Sequence, residues 1–177
     1  EGTAEAEFEA DLETSLFLVY TAIDARGMKH QQHNKQGGFL GLKAADAKLL
    51  DGMTHFDTFP DWFSQTDLDY LVSQFQRSGK RGPYNRYRAQ NLDWEQLAHL
   101  SDTKISQPAF FITGELDPVS HFVPLSTSFL EHVKKNYENL LIAKELPNVG
   151  HWTAEEAPDE VNRILIDFLS RIDHSLH

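Results

Sequence analysis

Only two segments of this chain read as buried β-strands, and that shortage limits what it can fold into. Gln107-Pro108-Ala109-Phe110-Phe111-Ile112-Thr113-Gly114 is a short apolar run, and Asn139–Leu146, with Leu140, Leu141, Ile142 and Leu146, is another. About Ser126–Asn136 between them has helical spacing, and Ala157-Pro158 opens a final helix whose Val161, Ile164, Leu165, Phe168 and Leu169 form the buried face. Strand, helix, strand, helix at these lengths is a βαβα unit with parallel strands. Parallel sheets are normally covered on both faces and hold several strands, so two strands leave apolar surface without a partner. The expectation is part of a larger α/β fold whose other strands lie upstream of Glu1 or on a separate chain.

The first hundred residues have a different period. Thr3 can cap a helix with Glu5 and Glu7 in its first turn and apolar residues at Phe8, Leu12, Leu16, Val19 and Ile23, so one long amphipathic helix is expected to end before Gly27. Residues 24–60 carry Gly27, Gly37, Gly38, Gly41, Gly52 and Pro60 and read as an irregular excursion with a short helix near Ala44–Leu50. A second helix over Gln65–Arg77 has Ser64 as its cap, Leu68, Leu71, Val72 and Phe75 as its stripe, and Gly79 past its end. Tyr87–Leu97, preceded by Pro83, gives a third. Nine aromatics fall between Phe56 and Trp94, a density that suits a small helical core or the lining of an apolar pocket. The division expected is a helical region over 1–100 and the βαβα portion over 101–177.

With 16 basic and 27 acidic side chains the formal charge is −11, which repels phosphate backbones. Arg77, Lys80, Arg81, Arg86 and Arg88 are the only basic cluster, so nucleic acid is not an expected partner. Zero cysteine removes disulfides, thiolate metal sites and cysteine nucleophiles. His30-x-x-His33 has metal-ligand spacing but no further ligand beside it, and it reads as solvated surface; no metal and no cofactor is expected. Gly37-Gly38-x-x-Gly41 follows no strand and is not a phosphate-cradling loop. The Asp67/Asp69 and Glu155/Glu156 pairs suit helix N-termini. No apolar run reaches the roughly 20 residues that cross a bilayer. The chain opens without an initiator Met, which leaves a leader upstream of Glu1 open; the cytoplasm is the favoured location.

Each strand is followed by a turn that bears a candidate catalytic group. Thr113-Gly114-Glu115-Leu116-Asp117-Pro118-Val119 follows the first, and Pro147-Asn148-Val149-Gly150-His151-Trp152 follows the second. Sites in parallel α/β sheets are built at the carboxyl ends of the strands. An Asp and a His presented there can pair, the carboxylate fixing the imidazole tautomer and stabilising the imidazolium once it has taken a proton.

This order resembles the acid and base of the α/β-hydrolase fold, and specifically the epoxide hydrolases of that fold. The resemblance spans nearly the whole chain. Gly2-Thr3-Ala4-Glu5-Ala6-Glu7 is similar to the opening of the family's cap helix. Phe75-Gln76-Arg77-Ser78-Gly79 and Gly82-Pro83-Tyr84-Asn85-Arg86-Tyr87-Arg88 resemble its tyrosine-bearing cap segment. Phe111–Val119 and Gly150-His151-Trp152-Thr153 resemble its charge-relay segments, and Glu160-Val161-Asn162-Arg163 also fits. The fold implied is a partial α/β-hydrolase, a helical cap followed by the C-terminal βαβα of a parallel sheet.

By that resemblance Tyr87 is a cap tyrosine that donates its hydroxyl hydrogen to the epoxide oxygen as the ring opens, and His151, held by Asp117, activates the water that hydrolyses a covalent ester. Tyr84 competes for the first role; Tyr87 is preferred because it precedes Arg88 in the matched motif. Tyr84 and Trp152 are expected to contact substrate. The family's nucleophile is an Asp on a strand-to-helix elbow, and no Gly-x-Asp-x-Gly or Gly-x-Ser-x-Gly pattern follows an apolar strand in these 177 residues. The implied partners are therefore a small apolar epoxide, water, and the N-terminal half of the enzyme, on the same polypeptide or on a separate chain. A homodimer also meets the shortage of strands, and the chain alone is expected to be inactive. Two other readings stay open from the residues: a haloalkane dehalogenase or esterase fragment of the same fold, and a non-catalytic hydrolase-like interaction module.

Overall fold

The structure, a computed structural model, describes residues 2–34, 44, 46–121 and 127–174. It divides into two units, Glu1–Ala22 with Lys29–Ser101, and Ile23–Met28 with Asp102–His177.

Where the apolar spacing predicts one helix, the first unit has two, α1 (Thr3–Ala10) and α2 (Leu12–Ala22). Asp11 makes the break. It leaves helical geometry at φ −143°, and its carboxylate accepts the Thr14 N–H at 3.0 Å, which caps the start of α2. Gly2, at φ 91°, occupies the cap position of α1 that the sequence assigns to Thr3. The expected excursion also opens as a helix, α3 (Ala25–Asn34), because the Asp24 carboxylate accepts the Gly27 N–H at 2.6 Å. Gly27 thus sits in a helix's first turn rather than beyond a helix's end.

Ala44 and residues 46–50 form turns and irregular backbone, not the short helix expected there. Their backbone is satisfied from α1: the Leu49 and Leu50 N–H groups donate to the two Glu7 carboxylate oxygens at 2.9 and 3.0 Å. The Gly37–Gly41 segment lies outside the described residues. Helix α4 (Gln65–Ser78) follows its sequence signals closely. Ser64 and Asp67 form a reciprocal capping box, and the Gly79 N–H, at φ 65°, closes the far end on the Phe75 carbonyl. The third expected helix begins earlier and in two pieces, α5 (Arg81–Arg88) and α6 (Gln90–Gln96), followed by a 3-10 turn at Ala98–Leu100. Pro83 lies inside the first turn of α5, where its missing N–H costs no helical bond.

Phe8, Leu16, Phe17, Phe63 and Leu68 are buried at the centre of this unit, with Phe59, Trp62, Phe75 and Tyr84 packed on them. Tyr20 and Trp62 stack on Phe63 with ring centroids 5.3 Å apart in each case. The aromatic run is therefore split: most of it is core, while Tyr70, Tyr87 and Trp94 are exposed. The recess beside that core, about 190 Å³, mixes Phe17, Phe56 and Phe59 with Glu13, His55 and Asp57, and is not purely apolar.

In the second unit, β1 (Ala109–Gly114) and β2 (Leu140–Leu146) pair in parallel, with Phe110 opposite Ile142 and Gly114 opposite Leu146. They form a two-stranded sheet among the described residues. Helix α7 (Phe129–Lys134) connects them, shorter than its sequence pattern, with the Ser128 hydroxyl accepting the Glu131 N–H. After β2 come a single turn, α8 (Thr153–Glu156), and a long helix, α9 (Pro158–His174). Ile142, Leu146, Val149, Ile164 and Phe168 are buried together, and Phe110 meets Phe168 with ring centroids 4.8 Å apart. Leu169, expected on the buried face, is 48% exposed, as is its neighbour Ile166 at 64%.

Candidate active site

The loops after β1 and β2 are bound to each other before any side chain is considered. The Glu115 N–H donates to the Leu146 carbonyl and the Leu116 N–H to the Val149 carbonyl, both at 2.9 Å. From the other side, the Asn148 N–H donates to the Glu115 carboxylate at 2.9 Å. Asn148 takes a left-handed conformation, φ 60°, that asparagine tolerates better than most residues. Gly114 is required where the loops converge, since a Cβ there would collide with the Val149 and Gly150 carbonyl oxygens.

This convergence brings Asp117 and His151 together. His151 Nδ1 lies 3.0 Å from Asp117 Oδ1, which also accepts the Val119 N–H at 2.9 Å. The Asp117 side chain is 13% exposed and that of His151 34%, so the carboxylate is sheltered while the imidazole stays partly open to solvent. Because Nδ1–H donates to the carboxylate, Nε2 is the nitrogen left to take up a proton. Burial pushes the Asp117 carboxyl up, but the hydrogen bonds from His151 and the Val119 N–H outweigh it and hold the group below its ordinary range. The bond to Asp117 raises His151 above its ordinary value; burial opposes this, and the charges of Asp117, Glu156 and Glu155 reinforce it. The arrangement is a carboxylate-oriented imidazole able to accept a proton from water.

Trp152 lies edge-on to the His151 ring, centroids 5.0 Å apart at 75°. The two cap-segment tyrosines sit on α5 of the first unit. Tyr87 is 70% exposed. Its neighbour Arg88 is anchored, with Nη1 and Nη2 donating to the two Glu5 carboxylate oxygens at 2.6 and 2.9 Å. That guanidinium holds the Glu5 carboxyl down to about 2. Tyr84 is half-buried, its ring edge-on to Phe8, and burial together with Glu5, Glu7 and Glu9 pushes its phenol up to about 12. No described group hydrogen-bonds its hydroxyl.

Of the histidine pair read as solvated, His33 is exposed and His30 packs edge-on against Phe56. Among the described residues no group of three or more His, Cys, Asp or Glu is placed to hold a metal ion, and no helix is long and apolar enough to cross a membrane.

No family model matches the chain. It is 36% identical over 126 residues to Epoxide hydrolase B of Mycobacterium tuberculosis, which covers 71% of this chain and 35% of that protein. It is 31% identical over 173 residues to Epoxide hydrolase 2 of Siraitia grosvenorii, covering 96% of this chain and 50% of that one. Among solved structures, an epoxide hydrolase from an endophytic Streptomyces matches with a TM-score of 0.85 at 34% identity, over 98% of this chain and 50% of its own. The chain belongs to the epoxide hydrolases of the α/β-hydrolase fold. It corresponds to their C-terminal half, and spans about a third to a half of the length of these curated relatives.

One part of this epoxide-hydrolase half escapes the sequence reading. Glu156, read as a helix N-terminal acid, accepts three backbone N–H groups, from Ala25 at 2.9 Å, Gly150 at 3.0 Å and Trp152 at 3.1 Å. The segment Ile23–Met28, read as the end of a helix and the start of a loop, supplies the Ile23 carbonyl that accepts the His151 N–H at 3.0 Å. Backbone donors carry no mark in a sequence. The only available signal is an acid five residues after the candidate base.

Proposed function

We propose that this chain supplies the cap and the water-activating pair of an epoxide hydrolase that converts an epoxide to a vicinal diol through a covalent ester. The observation that carries the reading is the sheltered Asp117–His151 bond at the paired strand ends, in a chain matching the C-terminal half of proteins named epoxide hydrolase. In the first step, a carboxylate outside these residues attacks a ring carbon; the C–O bond breaks, and Tyr87 gives its hydroxyl proton to the leaving oxygen, which becomes the diol's first hydroxyl. In the second, His151 Nε2 takes a proton from water, and the hydroxide attacks the ester carbonyl. The diol departs, the carboxylate is restored, and the imidazolium, stabilised by Asp117, returns its proton through solvent to the tyrosinate.

On this reading residues 1–100 act as the cap over a small apolar epoxide and 101–177 as the hydrolytic end of the core, with Tyr84 and Trp152 touching substrate. The attacking carboxylate belongs to an N-terminal half, on the same polypeptide or a second chain. Exposed Leu92, Trp94, Leu97 and Leu100 on one unit, and Ile166 and Leu169 on the other, offer the apolar surface such a half would cover; a homodimer would compete for it. The test is an epoxide-to-diol assay of residues 1–177 alone, and of the same residues joined to the N-terminal half of an epoxide hydrolase. The chain alone is expected to give no diol and the joined protein to turn over. Turnover by the chain alone, or by the joined protein with His151→Gln, would contradict the reading.

A further inference from the structure

We propose that Glu156 is a positioning residue for His151, holding the loop that presents the imidazole through the peptide N–H groups on both sides of it. The inference rests on the reading of His151 as the water-activating base. Three consecutive peptide N–H groups are fixed: Gly150 to Glu156 Oε2 at 3.0 Å, His151 to the Ile23 carbonyl at 3.0 Å, and Trp152 to Glu156 Oε1 at 3.1 Å. Oε2 also takes the Ala25 N–H at 2.9 Å, so one carboxylate ties the His loop to the same segment whose Ile23 carbonyl holds His151. The Glu156 N–H returns to the Trp152 carbonyl at 2.8 Å and closes the turn. Gly150 permits this approach, since a Cβ there would lie 2.5 Å from Ala25 N and 2.8 Å from Glu156 Oε1.

A carboxylate suits this place for a chemical reason. Three N–H donors need a group that only accepts, on both of its ends; an amide would turn an NH2 toward one of them. With residues 150, 151 and 152 all held, the ring has little freedom left except about its own side-chain torsions, and Asp117 fixes those. The proximity of the charge also favours the imidazolium, alongside Asp117 and Glu155.

The test compares Glu156→Gln with Glu155→Gln, which removes the same charge without touching those N–H groups. NMR on residues 1–177 reads amide exchange at Gly150 and Trp152 and the titration of His151. Glu156→Gln should speed exchange at both amides by about tenfold or more, loosen the His151–Asp117 bond and lower the His151 midpoint, whereas Glu155→Gln should leave exchange unchanged. Equal behaviour of the two variants, or unchanged exchange in Glu156→Gln, overturns the positioning role. Should Glu156→Gln not fold, the wild-type chain decides, because amides at Gly150 and Trp152 that exchange as fast as unprotected loop amides overturn it equally. In the joined protein, Glu156→Gln should lower kcat about a hundredfold with KM nearly unchanged, the cost of a misplaced base; unaltered kcat would count against the role. His151→Gln in that assay separates the two ideas: retained turnover sinks the base itself, while the exchange result bears on Glu156 alone.

Discussion

Asp117 and His151 shift each other in opposite directions, and the sign of each shift gives a measurable consequence. His151 is raised above its ordinary 6.5, so its neutral, proton-accepting form is the minority until the pH passes that raised value. Ester hydrolysis should therefore fall on the acid side with a midpoint above 6.5, read from the pH profile of single-turnover decay. The same pair contributes to folding between the two titrations. The contribution from Asp117 is complete above its ordinary 3.8 and is lost as the pH falls through its depressed value, and that from His151 is lost as the pH rises through its raised one. Asp117→Asn should lower the His151 midpoint, measured by NMR, and slow hydrolysis by about 10²–10⁴-fold. Tyr87→Phe should slow ring opening by about 10²–10³-fold, measured as ester formation, while Tyr84→Phe should leave stability nearly unchanged because its hydroxyl has no described partner to lose. Both pair residues were legible because each sits at a fixed point after an apolar strand. Glu156 was not, since its partners are peptide N–H groups and its spacing imitates an ordinary helix start.

The elements are legible in the sequence where their ends are marked by side chains, and are not where a polar residue acts locally against the hydrophobic period. Ser64, Asp67 and Gly79 announce α4 in the sequence, and Ser64→Ala should cost about 1 kcal/mol in denaturant unfolding through the lost cap. Asp11 and Asp24 follow the same chemistry, yet Asp11 lies within a run of otherwise continuous apolar spacing, so one helix is expected where α1 and α2 stand, and Asp24 lies where that helix is expected to give way to a loop, so α3 is not anticipated. Gly27 strengthened that error by looking like a stop. The strands were legible because a short apolar run flanked by Pro and Gly has few other uses, and the packing of α9 followed from its spacing apart from Leu169. Ile164→Ala, at the buried centre of the second unit, should cost about 2–5 kcal/mol, and a smaller loss would show that the site collapses around the cavity.

The two parallel strands found among the described residues are a small sheet, and the exposed side chains follow from that. Ile166 and Leu169 face outward on α9 although a helix of this pattern ordinarily buries such residues, and the chain matches only 35% and 50% of the length of the two curated relatives named above. β1 and β2 are readable from the sequence, whereas which apolar side chains remain exposed depends on packing. Residues 1–177 alone should bind a hydrophobic dye, and joining the N-terminal half of an epoxide hydrolase should reduce that binding; equal dye binding before and after would argue against this surface as the place it covers. The most direct measurement of the hydrolytic account is mass spectrometry of the joined protein carrying His151→Gln after brief exposure to an epoxide. The account predicts a protein heavier by one epoxide that persists for many wild-type turnover times, because the ester forms and cannot be hydrolysed. Diol released at the wild-type rate with no heavier species would contradict it.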